Sequence, residues 1–277
     1  MSPVLPILCV LLGASPAIET QFVQVAPARQ ERRWWSTPGQ TRAVVLIHGL
    51  YVHPFSKTNV TRAHLHSWQK ADCPLVKRLA SEADVFAFSY AQTVSADEVA
   101  ECPDLETQVR LLRREGYREI ILIGHSAGGL IARQFIEDHP DCGVTKVIQV
   151  DAPNGGSGWT MWKTVRSNQI DFLDSLSKPT RRRMLAERAD KHIPAQIEFA
   201  CIVGTGTGVG DGLVSIRSQY TPELQRQGIP AYPFNSSHWT VVRSKKGIEL
   251  LARLVREPQP RWEAWRVTAM RRYLLGD

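Results

Sequence analysis

The chain has 277 residues, of which 43% are hydrophobic and 22% are charged, so its length and composition favour a single globular domain over 18–277 with a sizeable core. The formal net charge is +7, but the basic residues are scattered and no nucleic-acid recognition module is present. We therefore expect no nucleic-acid partner, whereas attraction to an anionic membrane or cell-envelope surface fits this charge.

The first apolar stretch, at 4–12, is too short to span a bilayer. Small residues follow at 13–17, and this order is typical of a secretory signal peptide, which we predict at 1–17. Against it, the first three residues carry no Lys or Arg, and Pro6 interrupts the run. A signal predicts a secreted, periplasmic or cell-envelope protein. The alternative, a first buried strand, predicts a cytoplasmic one.

Apolar runs and helical periodicities alternate along the rest of the chain. We predict strands at 22–25 (a short edge strand), 43–47, 84–90, 120–123, 144–150, 197–203 and 231–234. Helical patterns occupy 59–81, the segment opened by Pro103, the segment after 126, 247–255 and a C-terminal helix at 260–275. This alternation predicts an α/β fold with a mostly parallel central sheet and helices on both faces. Ligands of such sheets bind at the carboxyl ends of the strands.

The alternation stops between about 155 and 195. This segment contains a Gly-Gly-Ser-Gly stretch, several aromatic residues and the basic run Arg181-Arg182-Arg183. Because it is long for a crossover, we predict a helical lid insertion over the strand ends, with an ordinary crossover helix as the alternative. The basic run fits a solvated helix face or a contact with anionic lipid head groups.

Four cysteines follow the predicted signal, and an even number in an exported chain suggests two disulfides. They are Cys73, Cys102, Cys142 and Cys201, which allow three pairings. Cys73 and Cys102 share an acid-Cys-Pro context and are the pair we favour, whereas Cys201 lies in an apolar run and also fits a buried thiol.

The most informative stretch is Gly124-His125-Ser126-Ala127-Gly128, which lies between a strand pattern and a helical pattern. A serine at a sharp strand-to-helix turn needs small neighbours, because the backbone passes close to it. Such a turn exposes the Ser126 hydroxyl and aims the helix N-terminus at it. We therefore predict that Ser126 is a nucleophile; a Gly-rich loop that only turns the chain or holds a phosphate is the alternative.

A serine hydroxyl becomes nucleophilic when an imidazole takes its proton and a carboxylate orients that imidazole. Asp211 and His238 lie in loops after predicted strands, and the chain order Ser, Asp, His suits a sheet-based hydrolase. His192 also follows the serine but lies within the predicted lid. Asp151 follows a strand too and is the alternative acid. We favour Asp211 because its glycine-rich loop lets the side chain reach inward.

An oxyanion that forms at Ser126 needs two backbone donors. Ala127 supplies one at the start of the helix, and the second is expected from the loop after the first central strand. That loop is His48-Gly49-Leu50, so the N–H groups of Leu50 and Ala127 form the predicted oxyanion hole.

These motifs resemble the α/β-hydrolase superfamily over roughly 41–255, and within it bacterial triacylglycerol lipases and lipase-like serine esterases. The matching segments are 45–50, 124–129 and 211–215 with His238. The resemblance implies an acyl-enzyme mechanism on carboxylic esters of medium or long acyl chains, with no cofactor. Those lipases carry an Asp just beyond the catalytic histidine for a structural calcium. Here Trp239-Thr240-Val241 follow instead, so we expect no metal site.

The resulting expectation is a serine ester hydrolase of the lipase or carboxylesterase type, with a lipid or other ester as substrate. Membrane or lipid-surface association is compatible with the basic run and with the helix at 260–275. The same machinery would serve a thioesterase, a phospholipase or a lipid-anchor deacylase. A non-catalytic binding protein that reuses the fold is a further alternative. The acyl chain, the alcohol and the oligomeric state stay open.

Overall fold

A single mixed sheet organises the computed structural model, which describes residues 18–28, 42–51, 59–158 and 167–276. Within these residues seven strands are hydrogen-bonded in the order β1-β3-β2-β4-β5-β6-β7. They are β1 (Thr20–Ala26), β2 (Arg42–Ile47), β3 (Asp84–Tyr90), β4 (Glu119–His125), β5 (Lys146–Val150), β6 (Glu198–Gly204) and β7 (Ala231–Phe234).

Strands β2 to β7 are parallel, and β1 runs antiparallel to β3 at one edge. Strand β4 lies between β2 and β5, so its carboxyl end is flanked by the ends of its neighbours. The α/β class, the mostly parallel sheet and the edge strand at 22–25 are therefore confirmed.

Helices cover both faces of the sheet. They are α1 (Pro74–Leu79), α2 (Ala96–Ala100), α3 (Pro103–Arg114), α4 (Ala127–Asp138), α5 (Ile170–Ser175), α6 (Lys178–Glu187), α7 (Ile216–Gln219), α8 (Pro222–Arg226), α9 (Lys245–Arg256) and α10 (Ala264–Leu275). The apolar sides of α1 and α9 share one core cluster, whereas α2, α3 and α4 contribute to the other. The helix predicted at 247–255 is present as α9, and the one predicted at 260–275 is present as α10 but begins only at Ala264.

Strand β2 shows how the sequence builds this core. Its residues 43–47 are all fully buried. Val44 and Leu46 belong to the cluster of α1 and α9, and Ala43, Val45 and Ile47 belong to the opposite cluster. Successive side chains of a strand point to opposite faces, so a continuous apolar run fills both sides. Each buried Val, Leu or Ile contributes roughly 1.5–3 kcal/mol to the free energy of unfolding.

The helix predicted over 59–81 is largely wrong. The segment holds short 3₁₀ turns at Asn59–Thr61 and Ser67–Gln69, and an α-helix begins only at Pro74. The backbone of Cys73 is extended, with φ −66° and ψ 139°. A proline disfavours the helical conformation of the preceding residue and lacks the N–H of a continuing helix. The chain therefore starts α1 at Pro74 and cannot run a helix through Cys73.

The expectation of two disulfides is wrong, because Cys73, Cys102, Cys142 and Cys201 are all free thiols. Cys73 packs against the core cluster of α1 and α9. Cys102 caps α3, which packs on the opposite face, so the sheet separates the favoured pair. The interpretation of Cys201 as a buried thiol is confirmed, and burial raises its pKa to about 12.

Two sequence predictions fall partly or wholly outside the described residues. The predicted signal at 1–17 lies outside them, as do residues 159–166 of the predicted lid. The described remainder of the lid segment contains α5 and α6. Its basic run is not uniformly solvated, because Arg181 is 2% exposed and forms an ion pair with Asp97 at 2.8 Å. None of the helices in the described ranges is long and apolar enough to cross a membrane.

Candidate active site

Ser126 occupies a sharp turn between β4, which ends at His125, and α4, which begins at Ala127. Its backbone has φ 56° and ψ −126°. Positive φ at a non-glycine residue costs roughly 1–3 kcal/mol and persists only where the surroundings enforce it. A Cβ at Gly124 would lie 2.3 Å from the carbonyl oxygen of Gly128, and a Cβ at Gly128 would lie 2.2 Å from that of Ile47, so the turn needs both glycines. The strand-turn-helix predicted from the sequence is present.

The loop after β2 packs directly against this turn. A Cβ at Gly49 would lie 2.5 Å from the Ser126 Cβ and 3.1 Å from its Oγ. Gly49 is therefore adjacent to the serine, and Leu50 is the next residue of the same loop. Ala127 is fully buried, and as the first residue of α4 its N–H has no acceptor within the helix.

Asp211 and His238 form a buried pair at the same edge of the sheet. His238 Nδ1 lies 2.7 Å from Asp211 Oδ2, and each residue is 2% exposed. Asp211 Oδ1 accepts hydrogen bonds from the backbone N–H groups of Leu213 at 2.8 Å and Val214 at 2.7 Å. The Gln219 amide lies 3.3 Å from Oδ2. These donors match the negative charge of a carboxylate that orients an imidazole.

Asp151, the alternative acid, is fully buried beside this pair. Within the described residues neither of its carboxyl oxygens has a hydrogen-bond partner. Burial raises its pKa well above the usual range, and the charge of Asp211 raises it further, although a Gly204 backbone contact opposes this. A group with these properties favours its neutral form. Asp211 therefore has the geometry of the orienting carboxylate, and Asp151 does not.

His125 supports the candidate base, a role that the sequence did not predict for it. Its Nε2 lies 2.7 Å from the carbonyl oxygen of His238, and the two rings are 4.9 Å apart. Burial lowers the pKa of His125 to about 3, so the ring is neutral and Nε2–H donates to the carbonyl. The residue before Ser126 thus holds the backbone of His238. The pattern Gly-His-Ser contains this histidine but does not reveal its partner.

His48 braces the loop that carries Gly49 and Leu50. Its Nδ1 lies 2.8 Å from the Gly49 carbonyl oxygen, and its Nε2 accepts from the Tyr90 N–H at 3.4 Å. Burial lowers the pKa of His48 to about 4, which fits a neutral ring with Nδ1–H as donor. The Tyr90 hydroxyl donates to the His48 carbonyl at 2.7 Å, and Gln92 Nε2 donates to the Gly49 carbonyl at 2.8 Å. Strand β3 and the residues after it therefore fix this loop.

A metal ion has three potential ligands close together here. Ligand atoms of His125, Asp151 and His238 lie within 4.8 Å of one another. However, His125 Nε2 donates to the His238 carbonyl, and His238 Nδ1 pairs with Asp211. Two ring nitrogens are thus engaged in hydrogen bonds that fix the candidate base. The arrangement fits a hydrogen-bonded Asp211–His238 pair better than a metal site.

Solved structures with a similar fold are α/β hydrolases. The mature form of the Bacillus licheniformis lipase BlEst2 matches with a TM-score of 0.62 and 14% identity, over 84% of this chain and 97% of that chain. Its propeptide form matches with a TM-score of 0.66 and 14% identity, over 87% of this chain and 54% of that longer chain. The metagenomic carboxyl esterase MGS0156 matches with a TM-score of 0.51 and 18% identity, over 86% of this chain and 78% of that chain.

These likenesses, together with the sheet order and the serine turn, establish the α/β-hydrolase fold and confirm the resemblance noted in the sequence. The chain belongs to the family described as a domain of unknown function, DUF7379, whose model matches residues 15–198. The match contains the Ser126 turn and the Gly49 loop and ends before Asp211 and His238. No curated protein matches the sequence.

Proposed function

We propose that this chain is a serine ester hydrolase in which Ser126 is the nucleophile, His238 the general base and Asp211 the acid that orients His238. The observation that carries the proposal is the buried His238–Asp211 pair, 2.7 Å apart, at the sheet edge where Ser126 is held in a strained turn. BlEst2 is a lipase and MGS0156 is a carboxyl esterase, and both support ester substrates on this fold.

In the proposed reaction, Ser126 Oγ attacks the ester carbonyl carbon while His238 Nε2 takes the hydroxyl proton. The N–H groups of Leu50 and Ala127 donate to the oxyanion of the tetrahedral intermediate. Collapse breaks the bond to the alcohol, which leaves with the proton from His238, and Ser126 keeps the acyl group. Water, deprotonated by His238, then releases the carboxylic acid and restores the serine.

The role of Ser126 is tested with a fluorophosphonate probe, which labels activated serines covalently. Wild type should be labelled and Ser126→Ala should not. Ser237→Ala is the matched control, because Ser237 is exposed and its hydroxyl contacts Thr240 in the loop that carries His238. Equal labelling of wild type and Ser126→Ala, or labelling of neither, contradicts the proposal.

The substrate class is tested with a panel of esters and thioesters of increasing acyl length. A lipase-type enzyme should prefer medium or long acyl esters. Activity confined to short, water-soluble esters contradicts the lipase assignment. Faster cleavage of matched thioesters, phospholipids or acylated peptides would instead identify a thioesterase, a phospholipase or a lipid-anchor deacylase with the same residues.

We also propose that residues 1–17 direct export and that the segment at about 155–195 is a lid. N-terminal sequencing of exported material should begin near Ile18, and an intact Met1 contradicts the signal peptide. Deletion of 159–166 should change the preference for acyl length while Ser126 still reacts with the probe. An unchanged preference contradicts the lid.

A further inference from the structure

A cavity of about 800 Å³ lies between the later turns of α4, helix α6 with the loop after it, and the α7–α8 segment. None of Ser126, Asp211 and His238 lines it, so it is distinct from the candidate active site. Its volume lies within the range of about 300–1,000 Å³ that is typical of small-molecule sites.

The lining of this cavity is strongly basic. It includes eight Lys or Arg residues and two glutamates. One glutamate, Glu137, is already paired with Arg133 at 2.7 Å and with Arg188 at 3.2 Å. In the described part of the chain, Lys178 and Arg182 of α6 have no acidic partner, and both are exposed at the rim. Four further cations of the lining also have acidic partners, since Arg181, Arg188, Lys191 and Arg226 pair with Asp97, Asp138 or Glu223. The excess of positive charge that an anion would neutralise therefore lies mainly at Lys178 and Arg182.

Three deeply buried side chains in the lining have polar atoms without partners. Arg181, Thr221 and Gln134 are each 2% exposed. Within the described residues, Arg181 Nε, Thr221 Oγ1 and Gln134 Oε1 form no hydrogen bond. Buried polar atoms without partners are costly, and several of them in one cavity point to a polar ligand. The set contains both donors and an acceptor, so a ligand with acceptors alone would leave Gln134 Oε1 unsatisfied.

Like charges also meet here. Burial lowers the pKa of Arg181 and the ion pair with Asp97 opposes this, while the neighbouring Arg133 and Arg188 repel the guanidinium more weakly and lower its pKa further. A bound anion would relieve this repulsion. Guanidinium groups match phosphate oxygens in geometry as well as in charge.

We propose that this cavity binds a phosphorylated polyol. Its phosphate contacts Arg181 and the neighbouring arginines of the lining (Arg133, Arg182 and Arg188), and its hydroxyl groups contact Gln134 and Thr221. An uncharged sugar would leave the excess positive charge uncompensated, and an apolar ligand would leave the buried polar atoms without partners. Inorganic phosphate would fill only a small part of the volume. The polyol phosphate is either a free metabolite or the head group of a lipid, and the two sources share the recognised chemistry.

The variants change exposed residues of α6 and the buried Thr221. Arg182→Glu reverses an exposed charge that has no acidic partner in the described part of the chain. Thr221→Val removes the buried hydroxyl while keeping the side-chain shape, and that hydroxyl makes no capping bond to α8. Arg183→Glu is the matched control, because Arg183 lies on the same helix, is 66% exposed and does not line the cavity.

The test is calorimetric titration of the full chain with inositol 1-phosphate, free inositol and inorganic phosphate. Inositol 1-phosphate should bind saturably to one site and more tightly than the other two. Arg182→Glu and Thr221→Val should each weaken this binding about tenfold or more, and Arg183→Glu should leave it unchanged. Absence of saturable binding, equal weakening in Arg182→Glu and Arg183→Glu, or equally tight binding of inorganic phosphate overturns the proposal.

Vesicle sedimentation distinguishes a lipid head group from a free metabolite as the source of the polyol phosphate. Phosphatidylcholine vesicles with and without phosphatidylinositol are used. If phosphatidylinositol-dependent binding occurs and is displaced by inositol 1-phosphate, the ligand is a lipid head group. If only the soluble compound binds, the ligand is a free metabolite. Vesicle binding that resists displacement and is weakened equally by both charge reversals, with no soluble binding, shows general surface attraction and overturns the cavity site.

Discussion

The Nε2 atom of His125 lies 2.7 Å from the carbonyl oxygen of His238, so the residue before the candidate nucleophile supports the loop that carries the candidate base. His125 is 1% exposed, and its low pKa keeps it neutral throughout the range in which an esterase works. The hydrogen bond joins β4 to the loop after β7 across the sheet edge. His125 therefore holds the backbone of the candidate base in place.

His125→Leu should lower kcat roughly tenfold to a hundredfold, because small misplacements of a general base are costly. His125→Gln retains an N–H donor and should recover most of the activity. The measurement is kcat and KM for a chromogenic ester, with thermal unfolding to check that both variants fold. Equal kcat in the two variants would show that the hydrogen bond does not position His238.

Asp211→Asn should reduce kcat by about four orders of magnitude, because an amide favours the wrong imidazole tautomer. Asp151→Asn changes a carboxyl that has no hydrogen-bond partner among the described residues, and it should keep most of the activity. Steady-state rates of the two variants on one ester decide between the carboxyls. Loss in Asp151→Asn with retention in Asp211→Asn would make Asp151 the orienting acid.

Asp151→Asn should also change how stability depends on pH. The raised pKa of Asp151 means that above about pH 4 the unfolded chain releases this proton while the folded chain keeps it. The folded state of wild type therefore loses up to about 1.4 kcal/mol per pH unit in that window, until the folded pKa is reached. Asparagine does not titrate, so the variant should gain stability relative to wild type from pH 4 upward. Denaturant unfolding across pH 4–8 measures this, and a constant difference would contradict it.

His48 produces the opposite trend. Its folded pKa is about 4, so the unfolded chain takes up a proton near pH 6.5 that the folded chain refuses until about pH 4. Stability contributed by the neutral ring is present above pH 6.5 and is lost as the pH falls towards 4, at roughly 1.4 kcal/mol per unit. His48→Gln should flatten this part of the unfolding profile. A slope identical to that of wild type would indicate that folding does not lower the pKa of His48.

Most of the fold and the chain order of the candidate site could be predicted from the sequence, because both depend on local patterns. The apolar runs at 43–47 and 84–90 correspond to β2 and β3, and Gly124 and Gly128 mark the turn at Ser126. The contacts of His125 with His238 and of His48 with Tyr90 could not be predicted, since each joins residues far apart in the chain. The favoured disulfide failed for the same reason, because similar local contexts do not reveal which face of the sheet each cysteine occupies.

The two outer strands bear on how the protein behaves at high concentration. An open strand edge can template the addition of another chain, and aggregation often starts there. Strand β1 has a register shift between Gln24 and Ala26. Strand β7 contains Pro233, which has no N–H to donate to a further strand. Each open edge therefore carries a feature that discourages self-assembly into extended sheets. Pro233→Thr should accordingly increase light scattering on heating while it changes the unfolding midpoint only slightly.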